Sequence, residues 1–227
     1  MNERPTTLDG WQNRYPKIIK IYTSQQGRGK KADVRSDVRS FVHADDWAIK
    51  ALVNSVVLPT DAETSRVAKI HRWACYALKY VTDDREYGSS EFWAMPDVTI
   101  ARQRGDCDDM AHVIASMLLN AGVDPRRVRV NAGWVSTGDG KKGGHAWVTY
   151  LRESDNQWVA LDACFYADPH DSIDSYKTQN QVADKYLEVW FSWNNLHCWD
   201  TMGQLLAEFR RVKDVPAPAP APDQPKV

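Results

Sequence analysis

Cys107 lies between acids in "GDCDDM", directly ahead of an apolar-periodic stretch that closes at Gly122. The thiolate is cysteine's reactive form. A helix N-terminus stabilises it through unpaired N–H groups and the helix dipole. Flanking carboxylates oppose ionisation when they face the sulfur. Successive helical residues fan out by about 100°, so Asp108 and Asp109 can face elsewhere and cap N–H groups. The nucleophile then needs a base from another element. His145 supplies one in "KKGGHAWVTYL", at the start of an alternating stretch that follows a double glycine. Period two puts His145, Trp147 and Thr149 on one face and Ala146 and Val148 on the other. An imidazolium also needs an orienting acceptor, and Asp162 closes the next alternating stretch, "QWVALDA". In an antiparallel hairpin the start of one strand lies beside the end of the next. The chain therefore presents a nucleophile on a helix end and a base with its orienter on paired strands, the groups that nucleophilic acyl transfer requires.

The elements that must hold these groups can be read from periodicity. Trp47, Ala48, Ala51, Leu52 and Val56 form a helical stripe ended by Pro59. Asp61 offers an N-cap for a longer helix to about Tyr80. Cys107 to about Asn120 forms the nucleophile helix, with Ala111, Ile114, Ala115, Leu118 and Leu119 as its buried face and Gly122 as its C-terminal signal. "VRVNAGWVST", "HAWVTYLR" and "QWVALDA" read as three antiparallel strands, "YLEVWFSWN" as a fourth, and "TMGQLLAEFRR" as a short helix. The fold expected is α+β: helices first, with the Cys107 helix packed on a twisted antiparallel sheet.

Three regions follow from composition. Residues 1–43 read as a polar arm, with "SQQGRGKKADVRSDVRS" as loop; between Arg14 and Arg39 it has eight Lys/Arg against two Asp. This basic balance suits either a solvated surface or an anionic partner. Residues 44–212 form the catalytic domain. Residues 213–227, rich in alternating Pro and Ala, form an extended tail that cannot make a core. The net charge of -1 argues against nucleic-acid binding by the chain as a whole. No apolar run reaches the roughly 18 residues of a membrane span, and the N-terminal residues carry no apolar signal core, so the location expected is cytoplasmic. The four cysteines, Cys75, Cys107, Cys164 and Cys198, contain no CxxC pair and read as free thiols rather than a zinc set.

"GDCDDMAHVIASMLLNAGV", "GGHAWVTYL" and "WVALDAC" resemble the three motifs of the transglutaminase-like superfamily, papain-like thiol enzymes with Cys, His and Asp in this order. The likeness extends from about Asp61 to Cys164 and is nearest to bacterial and phage-type members, including transglutaminase-like cysteine proteinases. It implies Cys107 as nucleophile, His145 as base and Asp162 as orienter. It implies an oxyanion site made by the Cys107 N–H and an upstream donor, with Trp93 of "FWAMP" preferred to Gln103. Some members bind calcium near a "DCDD"-type motif. Asp106, Asp108 and Asp109 match it, although a cap or surface role is preferred for them and no cofactor is otherwise expected. The reaction implied is acyl transfer on an amide or peptide bond through a Cys107 thioester, by a cysteine protease or amidase or by a transamidase acting on a protein or peptide. An inactive binding module of the same fold and a thiol acyltransferase are the alternatives.

Overall fold

The computed structural model describes residues 18–24, 31–89 and 91–200. Two short strands, β1 (Ile18–Ser24) and β2 (Lys31–Asp37), pair antiparallel. The expected loop is thus a hairpin over these residues: alternating "IIKIYTS" and "KADVRSD" satisfy each other's backbone groups. The packed core also begins earlier than residue 44, because Val38, Phe41 and Val42 are buried in it.

Helices α1 (Trp47–Val56) and α2 (Glu63–Ala77) follow. Asp46 caps α1, accepting from the N–H groups of Ala48 and Ile49. Asp61 does not cap α2. Ala62 holds that position, while Asp61 accepts from Leu58 N–H and binds Lys69. Strand β3 (Lys79–Tyr80), the single turn α3 (Asp83–Glu86), α4 (Pro96–Arg102) and β4 (Arg104–Gly105) lead to α5 (Cys107–Asn120). Parallel pairing of Tyr80 with Gly105 fixes the approach to Cys107.

Helix α5 is the axis of the molecule. It ends as expected: Gly122 takes φ 85°, and the N–H groups of Gly122 and Val123 return to the carbonyls of Leu119 and Leu118. Every residue from Asp108 to Leu119 is buried, not one face alone. The reason is packing on two sides: α1, α2 and α4 cover one flank and the sheet covers the other. Each fully buried Leu, Ile, Val or Met contributes about 1.5–3 kcal/mol, so this helix anchors the core and fixes the position of its own first turn.

The sheet comprises β5 (Val128–Gly138), β6 (Lys141–Leu151), β7 (Trp158–Leu161), β8 (Tyr186–Trp193) and β9 (Cys198–Asp200). Its order is β7-β6-β5-β8-β9 and every pairing is antiparallel. The chain returns after β7 to add β8 beside β5. Gly133 permits this close approach: a Cβ there would lie 1.9 Å from the Glu188 carbonyl oxygen. Ala146, Val148 and Tyr150 face the main core, whereas Trp147 enters a second cluster with Val135, Val182 and Tyr186. The expected alternation is therefore present. The short helix expected over 201–211 and the tail lie outside the described residues.

Candidate active site

Register brings His145 and Asp162 together. Val148 pairs with Leu161, so one further step sets Asp162 opposite Trp147, two residues along from His145. His145 Nε2 lies 2.7 Å from Asp162 Oδ2, and both residues are buried. The carboxylate is fully served. Its Oδ1 accepts from the N–H groups of Cys164 and Phe165, and its Oδ2 accepts from Tyr166 N–H and the Tyr186 hydroxyl. Burial works to raise the Asp162 pKa; the His145 hydrogen bond and charge and the Cys164 and Tyr166 N–H groups outweigh it, and the net shift is downward. Asp162 is thus held as a carboxylate against the ring.

A second histidine fixes the backbone of the same residue. Buried His71 of α2 places Nε2 2.9 Å from the Asp162 carbonyl and Nδ1 2.7 Å from the Tyr176 hydroxyl. A carbonyl only accepts, so Nε2 carries the proton and Tyr176 donates to Nδ1. Burial lowers the His71 pKa and keeps this tautomer neutral. His71 and Tyr186 were invisible as partners of Asp162 in the sequence, because their contacts span 91 and 24 positions.

Cys107 is the first residue of α5 and is half-buried. The Ala146 backbone N–H interacts with its sulfur and favours the thiolate, which sets the sulfur against the residue following His145. Even so, the thiol is pushed well above its ordinary pKa, first by burial and then by Asp108, Asp106 and Cys164. Asp108, expected to face away from the sulfur, lies beside it with Asp106 and acts on it, whereas Asp109 joins Asp83 instead.

Nor are Asp108 and Asp109 surface groups. Asp106 holds the N-cap position of α5 without a side-chain cap bond, and Asp108 and Asp109 are 5% and 0% exposed. Asp109 Oδ1 accepts from Ala94 N–H, while Asp83 of α3 accepts from Phe92 N–H. Asp83 Oδ1, Asp106 Oδ1, Asp108 Oδ1 and Asp109 Oδ2 are buried without a hydrogen-bond partner. Asp83, Asp106 and Asp109 each bring an oxygen within 4.8 Å of the others. Burial, chiefly, pushes Asp83 up to about 8, Asp106 to about 6 and Asp109 to about 7, with mutual repulsion adding to it; Asp108 shifts upward as well. Gly105 is required beside them, since a Cβ there would meet the Asp109 carboxylate at 2.5 Å. Orphaned, converging carboxylate oxygens are a donor set for a hard cation. Asp83, 24 positions before Cys107, carried no motif signal of its own.

The two upstream donor candidates have other surroundings. The Trp93 indole N–H donates to Glu91 at 2.7 Å, and its ring stacks on Trp193 beside His112. Its ring is part of the aromatic core and its N–H is engaged by Glu91. Gln103 is exposed at the end of α4, with φ 52° and its carbonyl bound by Lys79 N–H. His112 turns inward among Phe41, Trp93 and Trp193, and burial lowers its pKa to about 3. Of the other tryptophans, Trp147 and Trp158 are buried, whereas Trp134 is half-buried against Trp190.

Residues 50–163, half of the chain, match the family model described as the transglutaminase-like superfamily. None of the curated proteins matches. Among solved structures, calcium-bound LapG of Legionella pneumophila is 18% identical, with a TM-score of 0.52 over 68% of this chain and 76% of that one. The EGTA-treated form of LapG gives 0.51 at 18% identity, over 68% and 75%. A third LapG structure gives 0.51 at 18% identity, over 72% and 85%. At this identity the likeness establishes the fold. No helix among the described residues is long and apolar enough to cross a membrane.

Proposed function

The chain belongs to the transglutaminase-like superfamily, and from that premise we propose that it is a thiol enzyme acting on amide or peptide bonds, with Cys107, His145 and Asp162 as its reacting and orienting groups. The observation that carries this reading is the buried His145–Asp162 pair on the strand whose Ala146 N–H meets the Cys107 sulfur. Asp162 accepts at Nε2, leaving Nδ1 to take the thiol proton. The thiolate attacks the carbonyl carbon, and the oxyanion forms where the Cys107 N–H opens the helix. Protonated His145 gives its proton to the departing amine and leaves a thioester on Cys107. Water, deprotonated by His145, then releases the acid; an amine in place of water gives transamidation. Hydrolysis is the favoured course because water needs no second binding site.

The acidic cluster fits calcium, the ion carried by one of the similar LapG structures. Asp83, Asp106 and Asp109, with Asp108 adjoining, would hold it. Once bound, it would offset the smaller part of the Cys107 upward shift, the part that comes from Asp108 and Asp106 rather than from burial. No step passes through the ion.

Incubating the full chain with casein, in calcium and with or without a fluorescent primary amine, tests the reading. Hydrolysis yields casein fragments and transamidation yields labelled casein, and both vanish in Cys107→Ala. Casein turnover by Cys107→Ala at the wild-type rate would refute the assignment.

A further inference from the structure

Cys164 is not used by this mechanism, yet it ends inside the site. Its sulfur lies 3.5 Å from Asp162 Oδ1, and its backbone N–H binds the same oxygen. His145, Asp162 and Cys164 each bring a ligand atom within 4.8 Å of the other two. His145 and Asp162 are buried and Cys164 is half-buried. One nitrogen, one carboxylate oxygen and one sulfur thus converge at a site that is buried on the His145 and Asp162 side and partly open at Cys164.

We propose that His145, Asp162 and Cys164 form an inhibitory site for a borderline-soft divalent ion, zinc being the natural occupant. The donor chemistry sets this site apart from the carboxylate cluster near Cys107. The Asp83, Asp106 and Asp109 oxygens suit a hard cation, whereas mixed nitrogen, oxygen and sulfur select zinc or cobalt. Zinc ligands at roughly 2.0–2.3 Å in a tetrahedral array stand roughly 3.3–3.8 Å from one another. The sulfur-to-oxygen distance of 3.5 Å meets this already. The imidazole has to open from its 2.7 Å contact with Oδ2, and Asp162 Oδ1 has to give the metal a lone pair that the Cys164 and Phe165 N–H groups share. On binding, the Cys164 thiol releases its proton to solvent as the metal–sulfur bond forms, and the His145 Nε2 proton that Asp162 held is lost through solvent and regained at Nδ1, so that the Nε2 lone pair goes to the metal. Water fills the fourth position. The consequence for catalysis rests on the reading of His145 as base: a ring held by metal is neither oriented by Asp162 nor able to shuttle a proton.

The test is metal binding by the full chain in saturating calcium, which occupies the carboxylate cluster. Competition against a chelating dye should give one tight zinc per chain. Cys164→Ser should weaken it at least tenfold, and Cys107→Ser should leave it within a factor of about two. Cobalt should give a thiolate charge-transfer band that survives in Cys107→Ser and is lost in Cys164→Ser. Equal zinc affinity in wild type and Cys164→Ser would overturn the proposal. So would disappearance of the cobalt band from Cys107→Ser, a result that needs no folded Cys164 variant. Neither readout uses turnover, so their failure leaves the thiol-enzyme reading standing, and an inactive chain that binds zinc leaves this one standing.

Discussion

Two groups of buried carboxylates flank the reactive end of α5, and they differ in how far the protein itself satisfies them. Asp162 receives three backbone N–H groups, the Tyr186 hydroxyl and the His145 ring. Asp83, Asp106 and Asp109 converge, with Asp108 adjoining, and one buried oxygen of each of the four finds no partner. The first group is complete and stays ionised. The second is incomplete, and without a cation it must hold protons instead. One side of the site is built to orient a base, and the other to respond to an ion.

The largest effect should come from the complete side. Asp162→Asn keeps the size of the side chain but removes the charge that orients His145. It should lower turnover by about 10²- to 10⁴-fold with the thermal midpoint measured in parallel to exclude unfolding. Turnover within a factor of two of wild type would show that Asp162 does not orient the base.

The incomplete side predicts a large response of stability to calcium. At about 100 times its dissociation constant, a bound ion stabilises by roughly 2.7 kcal/mol. Calorimetry should show the midpoint rising in wild type and hardly moving in Asp109→Asn. If both proteins respond equally to calcium, the cluster is not where the ion binds.

The same carboxylates set a pH trend. Asp83, Asp106 and Asp109 have folded pKa values of about 8, 6 and 7, above the roughly 4 of an unfolded carboxylate. The folded chain therefore binds more protons, and its stability falls as pH rises through that range. Asp162 has the opposite sign: its depressed pKa adds stability at neutral pH that is lost only on acidification. In EGTA the midpoint should drop between about pH 5 and pH 8, and calcium should remove most of the drop. A midpoint that climbs with pH in EGTA would contradict the protonated cluster.

The smallest expected effect is that of Tyr186→Phe. It deletes one of several donors to Asp162 and should cost about 1.5 kcal/mol in a chemical-denaturation measurement. A loss above about 4 kcal/mol would mean that Tyr186 carries more of the site than its single hydrogen bond.

The complete side was largely legible in the sequence. Period-two alternation located β6 and β7, and their short connection brought His145 and Asp162 together, although β6 begins earlier, at Lys141, and Asp162 falls just past the end of β7. Helix α5 was legible down to its first residue and its Gly122 terminator. The incomplete side was not. Asp108 and Asp109 looked like capping residues because helix starts favour acids, and nothing in the local pattern revealed that α4 and the Asp83 turn would cover them. Trp93 looked like a donor because its segment resembled a motif, but only the fold shows its N–H engaged by Glu91. The pairing of 18–24 with 31–37 was obscured by a high proportion of charged residues, which masks alternation as readily as it marks loop.

The most direct measurement is the rate of iodoacetamide labelling at each of the four cysteines, mapped by mass, in calcium and in EGTA. In calcium, Cys107 should label far faster than Cys75, Cys164 and Cys198, more slowly in EGTA, and at the background rate in His145→Ala. Equal labelling of all four thiols in calcium, or a Cys107 rate indifferent to the loss of His145, would contradict the pairing of sulfur and imidazole on which the account rests.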